Sequence, residues 1–98
     1  DILKEVGEKK QYNQVLVGFA LETNNELENA KKKLDSKNAD CIILNSLNDK
    51  GSGFNVDTNK VTIIDKNRII ELPLKTKVEV ANDIVSYIFN TFIKKSSI

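Results

Sequence analysis

Two apolar runs separated by one helical pattern constrain the fold more than any other feature of this sequence. Residues 14–21 form a nearly continuous apolar run, and residues 40–45 repeat that design in a shorter form. Such runs are typical of strands that are buried on both faces. Between them, Leu27, Ala30 and Leu34 recur with the spacing of one helix face. Strand, helix and strand with short connections predict a βαβ unit, with parallel strands and a right-handed crossover.

The second half of the sequence predicts a loop, a hairpin and a final helix. Residues 47–59 are rich in Gly, Asn and Asp and predict a loop, in which Gly51-Ser52-Gly53 is only a weak nucleotide-binding signal. Two apolar segments flank residues 65–67, which suit a hairpin turn. Thr76 and Glu79 have the spacing of a capping box at a helix start. The predicted core stripe of that helix is Ala81, Ile84, Val85, Ile88 and Phe92.

Composition narrows the chemistry that the chain can perform. Ninety-eight residues predict a single α/β domain over residues 1–98, and a net charge of +1 favours neither nucleic acid nor an anionic membrane as a partner. No apolar run approaches the length of a membrane span. The absence of histidine excludes Ser–His–Asp and Cys–His catalysis within the chain, and no side-chain set predicts a metal site. Because Cys41 is the single cysteine, the chain cannot form an internal disulfide, which fits a cytoplasmic location. We expect Cys41 to lie in the core.

The first residues predict a helix that is already under way. Ile2, Leu3 and Val6 have helical spacing, and Gly7 is expected to weaken or close that helix. The chain also contains no methionine. We therefore expect it to be a piece of a longer protein.

The junction after the first apolar run is the first candidate binding site. Thr23 and Glu26 have capping-box spacing, so a helix is expected to begin near Asn24. In open α/β sheets, ligands lie beyond the carboxyl ends of strands, and helix N-termini favour phosphate. The alternative is that Thr23 only caps its helix, as in most connections of this kind.

Two lysines form the second candidate site. Lys33 and Lys37 lie one helical turn apart, on the flank of the predicted apolar stripe. Their ammonium groups could reach phosphates at the edge of a cleft. The alternative is a solvated face, since cations near a helix C-terminus are stabilising in their own right. Pattern alone also gives Phe19 no role beyond core packing.

Four motifs in register resemble one enzyme family. GFALETNN, KLDSKNADCIILN, GFNVDTNKVTIID and LPLKTKVEVA occur in this order and closely resemble phosphopantothenoylcysteine synthetase, the CTP-dependent phosphopantothenate–cysteine ligase of coenzyme A synthesis. The resemblance covers essentially all 98 residues. It departs at Leu21, where the family commonly has alanine. In many bacteria this ligase is the C-terminal half of a bifunctional flavoprotein, and FMN belongs only to the upstream decarboxylase.

The resemblance implies a Rossmann-like three-layer fold and a nucleotide site. In the family, CTP with Mg²⁺ activates the carboxylate of 4′-phosphopantothenate as an acyl-cytidylate, which the cysteine amine then attacks. Carried over by position, Phe19 would lie against the cytidine, and Lys33 and Lys37 would bind CTP. A short segment would also line the nucleotide site, namely Asp1, Ile2 and Leu3. The family is usually a homodimer.

The resemblance also implies that other parts of the catalyst lie outside these 98 residues. The family's glycine-rich phosphate loop, an asparagine important for the acyl-cytidylate, and a lysine-rich flap have no counterpart in the chain. We therefore expect the isolated fragment to be inactive and assign no catalytic residue. The alternative hypothesis is a non-catalytic nucleotide-binding or assembly domain of the same fold.

Overall fold

The two apolar runs form neighbouring parallel strands. The computed structural model describes residues 1–46 and 57–94. It begins with helix α1 (Ile2–Lys9), strand β1 (Val17–Glu22), helix α2 (Glu26–Ser36) and strand β2 (Cys41–Ser46). Strands β1 and β2 are parallel and pair from Val17 with Cys41 to Glu22 with Ser46. The predicted βαβ unit is thus confirmed.

The predicted hairpin extends the same sheet. Strand β3 (Thr58–Asn59) precedes β4 (Val61–Asp65) and β5 (Ile69–Glu71), and β4 is antiparallel to both β2 and β5. The order of the described sheet is β1-β2-β4-β5. Strand β6 (Lys75–Thr76) pairs with β3 in a separate two-stranded sheet. The predicted loop contains β3 at its end, while Gly51-Ser52-Gly53 lies outside the described residues.

The last helix begins where the capping box predicts. Helix α3 (Lys77–Ile88) continues into a π-helical turn at Phe89–Ile93. Thr76 is its N-cap, and the backbone N–H of Glu79 donates to the Thr76 hydroxyl at 3.2 Å. No helix among the described residues is both long and apolar enough to cross a membrane.

Helices cover both faces of the central sheet and make a three-layer α/β domain. One core cluster joins α2 to one face of the sheet, through Ala20, Ala30, Leu34, Ala39, Ile42, Leu44 and Ile64. The other joins α3 to the opposite face, through Cys41, Ile43, Val61, Ile63, Val80 and Ile84. Because successive side chains of a strand point to opposite faces, β2 supplies both cores. Burial raises the pKa of the Cys41 thiol to about 12, with Asp65 and Asp40 adding to the effect, as suits a core residue.

The structure corrects the predicted burial of β1. Phe19 is 72% exposed and Leu21 is also exposed, so one face of this strand is not buried. The reason is position: within residues 1–46 and 57–94, β1 pairs only with β2 and forms the edge of the sheet. The core cluster of α3 reaches β1 only at Val17. The core-packing interpretation of Phe19 is therefore wrong.

The buried faces of α2 and α3 differ in detail from the sequence predictions. Leu27 is partly exposed although it belongs to the predicted stripe of α2. In α3, Ala81 and Val85 point away from the core, and Val80 and Tyr87 take their place. Apolar residues occur on both sides of this helix, so periodicity could not decide which side faces the sheet.

The predicted capping box at Thr23 is wrong. Helix α2 begins at Glu26, and its N-cap is Asn25, which adopts the left-handed conformation with φ 46° and makes no side-chain cap bond. Asparagine tolerates this conformation better than most residues. The N-cap is therefore Asn25 rather than Thr23, and the helix begins two residues later than the capping-box spacing implies.

Gly7 lies inside α1 and provides a close contact with the end of α2. A Cβ atom at this position would lie 1.8 Å from the Lys37 carbonyl oxygen. The Asn38 side-chain amide donates to the Gly7 carbonyl at 3.0 Å, which fixes the same contact. Gly7 is therefore needed for docking α1. It does not close the helix, which continues to Lys9.

Gly7→Ala should lower stability although alanine is the better helix former. The helix preference of alanine over glycine is about 1 kcal/mol, but the methyl group would collide with backbone, which we expect to cost about 1–3 kcal/mol net. Urea unfolding and amide exchange in α1 would measure the loss. Glu8→Ala, at the exposed neighbouring position, should change stability by less than about 0.5 kcal/mol. A more stable Gly7→Ala variant would show that α1 does not dock as described.

Asp65 joins the hairpin turn to α3. Its side chain is 4% exposed, and its Oδ1 atom accepts from the backbone N–H groups of Asn67 at 2.7 Å and Arg68 at 2.8 Å. The Tyr87 hydroxyl donates to Oδ2, and the Arg68 guanidinium lies over the Tyr87 ring. Burial opposes ionisation of Asp65, but these donors and the Arg68 charge outweigh it and hold its pKa below the usual value.

Tyr87→Phe should destabilise the protein at neutral pH and less so in acid. Loss of a hydrogen bond to a buried carboxylate is expected to cost about 1.5–3 kcal/mol. Because the folded-state pKa of Asp65 is depressed, its contribution is present above the unfolded pKa and is lost as pH falls through the folded pKa. Urea unfolding from pH 7 to pH ~3 should therefore show the gap between the two proteins narrowing. Tyr12→Phe, at a fully exposed tyrosine, is the control, and a gap independent of pH would contradict this account.

Candidate functional site

Helix α1, strand β1 and helix α2 meet at one corner of the domain, and five of the six predicted CTP-binding residues lie on these two helices or at their caps. The Asp1 carboxylate accepts from the Lys37 ammonium group in an ion pair that joins the start of α1 to the end of α2. Leu3 lies over β1, since a Cβ atom on Gly18 would be 3.0 Å from Leu3 Cδ2. Ile2 is mostly exposed. Gly18 thus leaves the space in which α1 lies against the strand.

Lys33 reaches the carboxyl end of β1. Its ammonium nitrogen lies 2.5 Å from Oε2 of Glu22, the last residue of that strand. The Asn29 amide nitrogen lies 3.4 Å from the other oxygen of Glu22 and 2.9 Å from the Asn24 carbonyl oxygen. These contacts tie the strand end, the following turn and the middle of α2 together.

Phe19 lies apart from this group. Because side chains alternate along a strand, Phe19 points to the face of β1 opposite to Gly18 and Leu3. Its exposed ring lies beside Ile43, its partner in the strand register. The structure therefore places the lysines and the first three residues on one side of β1, and the aromatic ring on the other.

The N-terminus of α2 carries negative charge, which disfavours an anion at the junction itself. Glu26 and Glu28 lie in its first turn. The Ser46 hydroxyl at the end of β2 donates to Glu26 Oε1 at 2.6 Å. The positive helix end is thus already matched by carboxylates of the chain. Cationic groups suited to phosphate lie toward the other end of α2, at Lys33 in its last turn and at Lys37, its C-cap.

Sequence reasoning missed Glu22, Asn29 and Gly18 as parts of this corner. Glu22 closes an apolar run and resembled an ordinary strand terminus. Its position directly before a βα turn was the available signal, since ligands of open α/β sheets lie at such ends. Within the described ranges, no group of three or more Asp, Glu or Cys side chains could hold a metal ion.

Comparison with known protein families shows which family the chain belongs to. The family model described as DNA/pantothenate metabolism flavoprotein C-terminal domain, or DFP, matches residues 1–92. The chain belongs to the DFP C-terminal domain family. This membership bears out the resemblance carried by the four motifs.

Curated relatives of this DFP domain are much longer than the chain. It is 48% identical over 89 residues to the coenzyme A biosynthesis bifunctional protein CoaBC of Bacillus subtilis (strain 168), covering 90% of the chain and 22% of that protein. It is 58% identical over 86 residues to a cysteine/cysteine sulfinic acid decarboxylase from an unknown prokaryotic organism, covering 87% of the chain and 24% of that protein. The chain thus spans about a quarter of the length of these relatives.

Solved DFP domains have the same fold. The crystal structure of the C-terminal domain of CoaBC matches with a TM-score of 0.73 and 49% identity, over 90% of this chain and 42% of that one. The DNA/pantothenate metabolism flavoprotein of Streptococcus pneumoniae matches with the same TM-score and 26% identity, over 92% of this chain and 40% of that one. The α/β architecture is therefore shared within the family.

Truncation of Phe19 and of its strand partner Ile43 should change the stability of the protein to very different extents. Phe19→Ala removes an exposed ring and should change the free energy of unfolding by less than about 0.5 kcal/mol. Ile43→Ala empties a fully buried position and should cost about 2–5 kcal/mol. Urea unfolding of both variants measures the difference. A large loss with Phe19→Ala would mean that another surface covers the ring.

Proposed function

We propose that the chain is the C-terminal part of a CTP-dependent phosphopantothenate–cysteine ligase of coenzyme A synthesis. The observation that carries the proposal is the family match over residues 1–92. It is supported by the contacts of α1 and α2 beside β1, in which Lys37 pairs with Asp1 and Lys33 pairs with Glu22. The substrates would be 4′-phosphopantothenate, cysteine and CTP. A homodimer and an upstream FMN-dependent decarboxylase belong to the same proposal.

In this reaction the chain would bind and orient the nucleotide. The carboxylate of 4′-phosphopantothenate attacks the α-phosphorus of CTP, forming an acyl-cytidylate and releasing pyrophosphate. The cysteine amine then attacks the acyl carbon, forming the amide and releasing CMP and a proton. Lys33 and Lys37 would neutralise phosphate charge, and Phe19 would contact the cytosine. Mg²⁺ would be held mainly by the phosphates and water, as is common for nucleotide sites.

The geometry restricts how CTP could lie. Phe19 and the lysine side chains are on opposite sides of β1, so one nucleotide that contacts both must pass the end or the outer edge of that strand. Strand β1 is the edge strand of the described sheet, which leaves this path open in the described part of the chain. The exposure of the Phe19 ring is compatible with contact to a base.

A non-catalytic nucleotide-binding or assembly domain is the second candidate. The observation that favours it is the relative named as a cysteine/cysteine sulfinic acid decarboxylase, which is 58% identical in the matched region. That name describes a different activity from the CoaBC relatives. A domain of this family could therefore serve binding or assembly in proteins whose chemistry lies elsewhere.

Nucleotide titration of the 98-residue chain tests the binding site. With Mg²⁺ present, CTP should shift the NMR signals of Phe19, Lys33 and Lys37, and ATP should shift them less. Lys33→Ala or Lys37→Ala should weaken CTP binding about 5- to 20-fold, because each removes a charge that contacts phosphate. Lys32→Ala, an exposed lysine of the same helix paired with Glu28 at 3.7 Å, is the matched control. Equal weakening by all three would mean nonspecific attraction.

A chimera separates the ligase from the binding module. This chain would replace the matched 89-residue segment of Bacillus subtilis CoaBC. Release of CMP dependent on CTP, 4′-phosphopantothenate and cysteine supports the ligase. A folded chimera that binds CTP without releasing CMP supports the second candidate, and one that binds no nucleotide argues against both.

A further inference from the structure

Glu22 and Lys33 form an ion pair whose two partners differ in exposure. The side chain of Glu22 is 12% exposed, whereas that of Lys33 is 40% exposed. At the carboxyl end of β1 the carboxylate side chain is thus the more covered partner, and the lysine side chain is the more exposed one. Asn29 lies 3.4 Å from the remaining Glu22 oxygen and helps to fix the carboxylate.

The pair formed by Asp1 and Lys37 has the reverse arrangement. There the lysine side chain is 21% exposed and the carboxylate 44% exposed. The Lys37 side chain is therefore more covered than that of Lys33. A phosphate approaching Lys33 would meet the cation, whose ammonium group has three donors and uses one of them for Glu22.

We propose that Glu22 is a positioning residue that holds the Lys33 ammonium group in place for a nucleotide phosphate. This inference rests on the proposed function. Lysine has a long side chain with many rotamers, and binding a phosphate requires that freedom to be lost. A partly buried carboxylate at the strand end fixes the ammonium group beforehand, so less ordering remains to be done when the ligand arrives. Glu22 itself does not touch the ligand.

The alternative role of Glu22 is simple repulsion. A carboxylate near phosphate raises the electrostatic free energy of the complex, so removing its charge would tighten binding. The two roles therefore predict opposite signs for the same substitution. The positioning role dominates here because the carboxylate is covered and its charge is matched by the lysine at 2.5 Å.

Glu22→Gln in the 98-residue chain tests the proposal, with Mg²⁺ and CTP as the probe. We expect CTP binding to weaken about 5-fold, because the Lys33 ammonium group becomes less ordered before binding. Glu28→Gln is the matched control: it changes the net charge equally but lies in the first turn of α2 and pairs with Lys32 rather than Lys33, and CTP affinity should stay within about 2-fold. The double variant Glu22→Gln, Lys33→Ala should bind no more weakly than Lys33→Ala alone, since Glu22 acts through Lys33.

A second measurement tests, in the absence of ligand, whether Glu22 holds the Lys33 ammonium group in place. The ¹⁵N signal of the Lys33 ammonium group should be more ordered than that of Lys32 in the parent chain, and should lose this order in Glu22→Gln. A merely structural role for Glu22 would change stability without this signature and would add to the effect of Lys33→Ala. If Lys33 is no more ordered than Lys32, the proposal is overturned, whether or not Glu22→Gln folds.

The outcomes keep the two proposals apart. If the parent chain binds CTP and Glu22→Gln binds it equally well or more tightly, positioning is overturned and the nucleotide site stands. If the parent chain gives dispersed amide signals but no CTP shifts, the nucleotide site in this chain fails, and the positioning role fails with it.

Discussion

Strand β2 has apolar side chains on both of its faces, and both cores of the protein form around it. Ile42 and Leu44 pack toward α2, whereas Cys41 and Ile43 pack toward α3. Burying an isoleucine or leucine contributes roughly 1.5–3 kcal/mol each, so Ile42, Ile43 and Leu44 supply a large part of the driving force. A one-residue slip in strand register would exchange the two sets of side chains between the faces. The layers, the sheet order and the position of each helix follow from this strand.

The candidate site lies where that scaffold is least covered. Strand β1 is paired with β2 along one side, and α2 covers only one of its faces. Its carboxyl end therefore presents Glu22 near Lys33 of α2, while its uncovered face presents Phe19. Gly18 lets α1 approach this strand, and Gly7 lets the same helix approach the end of α2. Two residues without side chains thus shape the corner in which the charged groups meet.

The two lysines predicted to bind CTP are both paired with carboxylates. Lys33 and Lys37 each have a carboxylate partner, in agreement with the near-neutral net charge of +1. Such pairs stabilise the fold only modestly where they are exposed. Their greater consequence concerns binding, because a paired lysine is oriented before a ligand arrives. Which partner faces solvent then decides whether an approaching anion meets a cation or a carboxylate.

The sequence by itself determined the elements whose information is local. The capping box at Thr76 and Glu79, the hairpin around Asp65 and the burial of β2 could all be predicted, because each depends on residues within a few positions of one another. The family motifs also placed the chain in its family, and with it the expected nucleotide-binding residues.

Only the tertiary structure decided the remaining features. The outward face of β1, the choice of Val80 over Ala81 in α3, and the left-handed start of α2 at Asn25 depend on packing that a local pattern does not contain. The ion pairs of the candidate site join residues 11 and 36 positions apart in sequence. No periodicity links such residues, because their proximity arises only when α1 and α2 pack beside β1.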